Sequence, residues 1–570
     1  MPLTKEIRKR ILDRVRFCYG AEQAEPLCGS IEILIAAYQG CGPARARGWS
    51  EKDALLITYA DSVVSMDPPL ETLRRTLLAT CGRQFSFVHL LPFFPYSSDD
   101  GFSVTDYRAI RPDLGTWGEV HALSRDYRLV FDGVINHVSQ HSQYVRGDLA
   151  GDPAYKDFAL SLPKETDTRS VLRTRNLPLL HDYPSHDGTR YLWTTFSRDQ
   201  VDLNWANPKV LLEMVDVMLF YASRGASMLR LDAIPYLWKR LGTSCAHLPE
   251  THELIKLIRD IYDAAAPGML LLTETNVPHP ENVSYFGQAG DEAQVIYNFS
   301  LAPLIVWSLL KGDAKALSQW ASGVKFVSPR ATYLNITATH DGIGMRPTEG
   351  LLSEEARKEL CDMAKARGGD ITGKRNADGS ISPYELNLSY FDAINDPRAD
   401  EPQALQVKRF LCSQAIPMSF IGMPGLYIHS LFGSRNDYGG VKQSGRARSI
   451  NRAQLQERKL LGELADPGSL RNAVFQGILR MLKIRAEQPA FHPDAPQTVL
   501  DCGASVFALL RESPAQRIMA FHNISGKPVK VPRKNFPLHG SLRDLLDAPS
   551  AKVESDVELA PYQIRWITGD

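Results

Sequence analysis

The 570-residue sequence has no surplus of either charge, with 65 lysines and arginines against 65 aspartates and glutamates. A balanced chain makes no electrostatic case for binding nucleic acid or an anionic membrane surface. No apolar run approaches the ~20 residues of a membrane span. The N-terminal segment is charged and amphipathic and lacks the apolar core of a signal peptide. The eight cysteines (18, 28, 41, 81, 245, 361, 412, 502) include no Cys-x-x-Cys and no metal-ligand spacing. They read as reduced thiols, so neither a disulfide framework nor a metal or other cofactor is expected, and the compartment expected is the cytoplasm. Internal repeats and low-complexity stretches are also missing.

What the chain does have is size, an ordinary globular balance (44% hydrophobic, 23% charged) and a rhythm. Short apolar segments of strand length at 54–61, 85–93, 128–137, 227–234, 269–276, 294–299, 332–340 and 418–428 alternate with helical patterns. Eight such pairs predict an α/β architecture, a parallel sheet closed into a (β/α)8 TIM barrel. Two helices or three precede it. Two intervals break the rhythm, 140–205 and the turn-rich 342–400, and long insertions after barrel strands shape the catalytic face. After the helix at 470–487 the texture changes to short alternating segments, which predict a small all-β domain. The expected division is 1–139, 206–341 and 401–489 for the barrel, 140–205 and 342–400 for the insertions, and 490–570 for the β domain.

In a barrel, polar residues at the C-terminal ends of strands are the candidates for chemistry. Here they form a set: Tyr59 and Asp61, then Asp132, Asn136 and His137, then Arg230 and Asp232, Glu274, and finally His340 and Asp341. Arg230 and Asp232 are two apart on a strand and so share a side, where the guanidinium should hold the carboxylate ionised. Glu274 follows an apolar strand with no cation beside it in sequence, so burial should raise its pKa. A pinned anion beside a protonated acid suits cleavage of a glycosidic bond: Asp232 as nucleophile, Glu274 as acid/base, Asp341 stabilising positive charge on the sugar ring. His137 and His340 are placed to donate to sugar hydroxyls.

The segments Asp132-Gly-Val-Ile-Asn-His137, Arg230-Leu-Asp232, Glu274 and His340-Asp341 resemble, in order and spacing, the signature regions of family 13 glycoside hydrolases, the alpha-amylase superfamily. Gln200-Val-Asp-Leu-Asn204 resembles its additional region. Leu56-Ile-Thr-Tyr-Ala-Asp61, Asp99-Asp-Gly-Phe102, Gly242-Thr-Ser-Cys245 and Thr339-His-Asp-Gly-Ile-Gly344 narrow the likeness to the sucrose phosphorylase branch. That resemblance implies a hexosyltransferase that cleaves a small α-glucoside with inorganic phosphate to give glucose 1-phosphate, with retention and without a metal. It implies that Asp99 and Arg448 hold distal glucose hydroxyls, and that Phe102 and Phe196 wall the sugar. His137, Arg230, Tyr236, Asn276, His340 and Tyr384 complete the expected substrate contacts. Arg173, Arg175, Tyr236 and Tyr384 are candidates for the phosphate.

Glu274-Thr-Asn276 and Ser382-Pro-Tyr-Glu-Leu-Asn387 depart from sucrose phosphorylases proper and look more like the glucosylglycerate phosphorylases of the same branch. His181-Asp182 departs from that pattern and is expected near the acceptor, which keeps neutral acceptors such as glycerol or fructose open. A hydrolase or transglucosidase with the same three carboxylates is the alternative, and a homodimer is left open.

Overall fold

The structure is a computed structural model that describes residues 3–43, 48–288, 290–376, 378–538, 541–547 and 556–569. At its centre eight parallel strands close into a barrel. In chain order they are β1 (Leu55–Thr58), β2 (Phe87–Leu90), β3 (Arg128–Gly133), β4 (Ala226–Leu231), β5 (Leu270–Thr273), β6 (Val295–Tyr297), β7 (Thr332–Ile336) and β8 (Met423–Tyr427). Each pairs with the next, and β8 returns to β1 with Gly425 opposite Leu55. Almost every residue in them is buried, as expected when helices cover a sheet whose inner face fills the barrel.

The helices follow from local chemistry. The helix Pro208–Ser223 before β4 has Pro208 in its first turn and Asn207 accepting from the Lys209 N–H as its cap. Gly225 at φ 101° then turns the chain into β4. The helix Pro249–Ala265 buries Leu254, Ile255, Leu257, Ile258 and Ile261, an amphipathic stripe of about 3.6-residue period. Two helices, Lys5–Tyr19 and Ala21–Ala37, precede the barrel; the former docks on Pro249–Ala265 through Arg14, which reaches Glu253 at 2.9 Å and Asp260 at 2.6 Å. The connection expected at 40–49 lies partly outside the described residues. Among the described residues no helix is long and apolar enough to cross a membrane.

Three sequence expectations change. The segment 128–137 is not one strand: β3 ends at Gly133, and His137–Ser139 pairs antiparallel with Gln200–Asp202 instead. The apolar run 418–428 begins inside the helix Gln403–Ser419, and Gly422 at φ 111° breaks it before β8. Hydrophobicity alone does not divide a buried helix end from a buried strand. The turn-rich stretch at 368–379 instead contributes Asp370–Arg375 to a hairpin with Ile381–Asn387.

Beyond the helix Leu470–Arg485, five antiparallel strands run in the order Gln497–Leu500, Val506–Ser513, Gln516–Asn523, Ile564–Gly569, Leu542–Asp544. Val506, Met519, Phe521, Val531 and Ile567 form their own core. Buried Arg511 fastens this sheet to the barrel, donating to the carbonyls of Ser419, His492 and Ala495.

Candidate active site

The C-terminal ends of β4 and β5 carry the first two carboxylates. Leu231 pairs with Thr273, so Asp232 and Glu274, one residue on, leave the barrel side by side. Asp341 comes from the segment after β7. All three line one cavity at the mouth of the barrel. Ala233 is left-handed (φ 49°, ψ 31°), an unusual conformation for a residue with a Cβ. It turns the chain from Asp232 into a short 3₁₀ turn that delivers Tyr236 to the cavity. The same kink aims the Ala233 N–H at Glu274 Oε2, 3.1 Å away.

Arg230 Nη1 meets Asp232 Oδ1 at 2.9 Å, as the two-residue spacing predicts, and also pairs with Asp132. Its charge is therefore divided. Burial raises the Asp232 carboxyl against the pull of Arg230, with Asp132 and Asp341 adding to the rise. This reverses the expected direction, because burial outweighs Arg230, whose charge is shared with Asp132. Burial pushes Glu274 well above the usual carboxylate range, with only its long-range attraction to Arg230 and the Ala233 N–H opposing. Both carboxyls resist ionisation, yet only Asp232 touches a guanidinium. The charge therefore settles on Asp232 and the proton on Glu274. Arg230 itself is 2% exposed and stands beneath the cavity, not among its lining residues.

Asp341 is buried, which alone would raise its carboxyl, but Arg448, His340 and Arg452 outweigh burial and hold it well below the usual range. Arg448 lies 2.8 Å from Asp341 Oδ1 and also grips Glu385 with both oxygens, at 2.7 and 2.8 Å. Arg448 lines the cavity with its charge already shared between two carboxylates. Glu385 was not singled out from the sequence; only its place opposite Gly344 in a hairpin, invisible before folding, brings it here.

Asp99, Phe102, His137 and His340 also line the cavity. Phe102 stacks on His340, centroids 4.7 Å apart and rings 3° from parallel. Both ring nitrogens of His137 already have protein partners: Nε2 lies 3.0 Å from the Phe102 carbonyl and Nδ1 3.2 Å from the Asn136 amide. Asp99 and Asp100 are left-handed and Gly101 has φ 111°. A Cβ on Gly101 would stand 2.6 Å from the Pro92 carbonyl oxygen. Gly101→Ala must therefore displace Asp99 and Phe102; the donor KM is expected to rise about tenfold, the effect of ~1.4 kcal/mol of strain, with initial rates as the readout.

Around Tyr384 the lining includes Tyr236, Asn276, Phe196 and Arg175. The Arg175 guanidinium lies over Phe196 (5.4 Å) and Tyr384 (5.2 Å). Arg173, the other cation expected for phosphate, does not reach the cavity; it turns back and donates to the Leu177 carbonyl. His181 and Asp182 are also absent from the lining. His181 binds Thr194 at 2.7 Å and Asp182 pairs with Arg198 at 3.2 Å, both partners lying just past the hairpin Leu180–Ser185/Gly188–Trp193. They are therefore not placed to select the leaving group, as the sequence had suggested. Asp61 pairs with Arg111 at 2.6 Å outside this cavity. Asp202 of the Gln200–Asn204 segment accepts from Thr195 and lies 2.6 Å from Lys239, tying the insertion to the barrel.

A closed barrel with a charged and a protonated carboxyl side by side, and a third carboxylate held as an anion, defines a carbohydrate-active enzyme class. Residues 83–327 match the alpha-amylase family, catalytic domain. The chain is 44% identical to the glucosylglycerate phosphorylase of Allomeiothermus silvanus over 93% of its own length and 95% of the relative's. To that of Escherichia coli (strain K12) it is 41% identical over 98% and 100%. Among solved structures it resembles sucrose 6F-phosphate phosphorylase from Thermoanaerobacter thermosaccharolyticum, with a TM-score of 0.73, 25% identity and coverage of 84% and 95%. The chain belongs to the glycoside phosphorylases of the alpha-amylase superfamily, the family that includes the glucosylglycerate phosphorylases.

Proposed function

We propose that this chain reversibly phosphorolyses an α-D-glucoside of glycerate, giving α-D-glucose 1-phosphate and glycerate by a retaining double displacement in the cytoplasm. The observation that carries the reading is the near-full-length likeness to glucosylglycerate phosphorylases, in a chain that keeps the three carboxylates in one cavity. Neighbouring parallel strands are about 4.8 Å apart, a separation suited to the close carboxyl pair of retaining enzymes.

In the first half-reaction Asp232 attacks the anomeric carbon while Glu274 gives its proton to the glycosidic oxygen. Glycerate leaves and a glucosyl ester on Asp232 remains. Asp341 faces the positive charge that develops on the ring. In the second, phosphate takes the place of glycerate. A phosphate oxygen attacks the anomeric carbon, Glu274 recovers a proton from it, and the Asp232 ester bond breaks. Two inversions leave the α configuration. Arg175, the cation in the lining near Tyr384, is the residue assigned to the entering phosphate.

The test is the dependence on phosphate. With glucosylglycerate as donor, glucose 1-phosphate should be the main product and its rate should saturate with phosphate. Free glucose appearing at the same rate without phosphate would make the chain a hydrolase.

A further inference from the structure

One buried cation beside the cavity has no part in the account above. Arg346 begins a short 3₁₀ turn just past the strand Ile343–Gly344. The adjoining Met345 N–H donates to the Tyr384 carbonyl at 2.9 Å, which fixes Arg346 beside Tyr384. The side chain is only 6% exposed, and its Nε and Nη1 have no hydrogen-bond partner. Among the described residues its one carboxylate within 4 Å is Glu281, 3.5 Å from Nη2, and Glu281 is 43% exposed and shared with His247 at 3.3 Å. A second polar atom nearby is in the same state. Asn276 Oδ1 lines the cavity side, has no partner, and lies 2.3 Å from where a Cβ of Gly344 would stand.

A guanidinium kept out of water normally has every N–H engaged, because leaving donors unmet is costly. Two unmet donors on a buried arginine leave its charge incompletely answered by the protein. The charge of Arg346 is felt by both Tyr236 and Tyr384, which line the end of the cavity shared with Arg175. Glu281 and Glu349 answer this charge only in part, and an incoming carboxylate answers more of it than a neutral group does. We propose that Arg346 is the specificity-determining residue that selects an acceptor bearing a carboxylate, acting on it from behind Tyr236 and Tyr384. Arg175, in the lining itself, is left to serve phosphate. The proposal rests on the phosphorylase reading and adds to it a residue for the acid group of the acceptor.

The experiment runs synthesis from glucose 1-phosphate and reads phosphate release with D-glycerate, with its neutral amide and with glycerol. In the wild type, glycerate should be preferred over its amide by about tenfold or more, the discrimination of a site built to bind a charged group. In Arg346→Gln the ratio of kcat/KM for glycerate over amide should fall by about tenfold, chiefly through the glycerate KM. Arg346→Lys should recover part of it. A ratio that changes less than about threefold in Arg346→Gln, or equal use of glycerate and amide by the wild type, would overturn the assignment. A wild type that releases no phosphate with glycerate but does so with another acceptor would overturn the acceptor reading above, a different outcome. If the variants do not fold, equal use of glycerate and amide by the wild type still overturns the assignment.

Discussion

Replacing Asp232 by asparagine should lower phosphorolysis at least about ten-thousand-fold, the scale seen when a covalent nucleophile is removed. Asparagine keeps the shape but cannot form the glucosyl ester. The structure predicts that this loss is not a folding defect. Arg230 stays paired with Asp132 when Asp232 loses its charge, so no buried cation is stranded. Removing a carboxylate that burial already disfavours also leaves stability little changed. The check is the initial rate of glucose 1-phosphate formation together with a thermal melt of the same preparation. A variant that melts like the wild type yet retains more than about a hundredth of its rate would remove Asp232 from the nucleophile role.

Glu274→Gln should have the second largest effect, about a hundred- to ten-thousand-fold on the natural donor, the usual contribution of a general acid. A glutamine cannot protonate the leaving oxygen. The loss should shrink sharply with α-D-glucosyl fluoride, whose departing fluoride needs little protonation. The pH dependence supplies the sign. Burial raises the Glu274 carboxyl well above the usual carboxylate range, so at and below neutral pH it carries the proton that glycoside cleavage needs, and at higher pH the proton is lost. The wild-type rate on the natural donor should therefore fall as pH rises past that raised range. That alkaline fall should vanish in Glu274→Gln acting on the fluoride. If the variant keeps the fall, another group is the acid.

Much of this site was legible before folding, for a physical reason. Barrel strands end where side chains enter the cavity, so a polar residue closing an apolar strand is already placed. Asp232, Glu274 and Asp341 were found that way. The error on Asp232 arose because its burial, and the sharing of Arg230 with Asp132 100 residues earlier, are set by the fold and no local pattern reports them. The inserted segments were less legible. Arg173 and Arg175 are two apart in a loop, and only the fold turns one to the Leu177 carbonyl and the other over Phe196 and Tyr384. His181 and Asp182 looked like acceptor contacts, but their side chains bind Thr194 and Arg198, in the segment just past the hairpin. Glu385 and Arg346 carried no sequence signal of their own, since their positions depend on the pairing of Ile343–Gly344 with Ile381–Asn387.

The central claim, that the enzyme passes a glucosyl group between phosphate and glycerate, is tested most directly in reverse. Glucose 1-phosphate is incubated in parallel with D-glycerate, glycerol, D-fructose and fructose 6-phosphate, and phosphate release is measured. The account predicts rapid, saturable release with glycerate and much slower release with the other three. Release that no acceptor accelerates beyond the rate in water alone would contradict it.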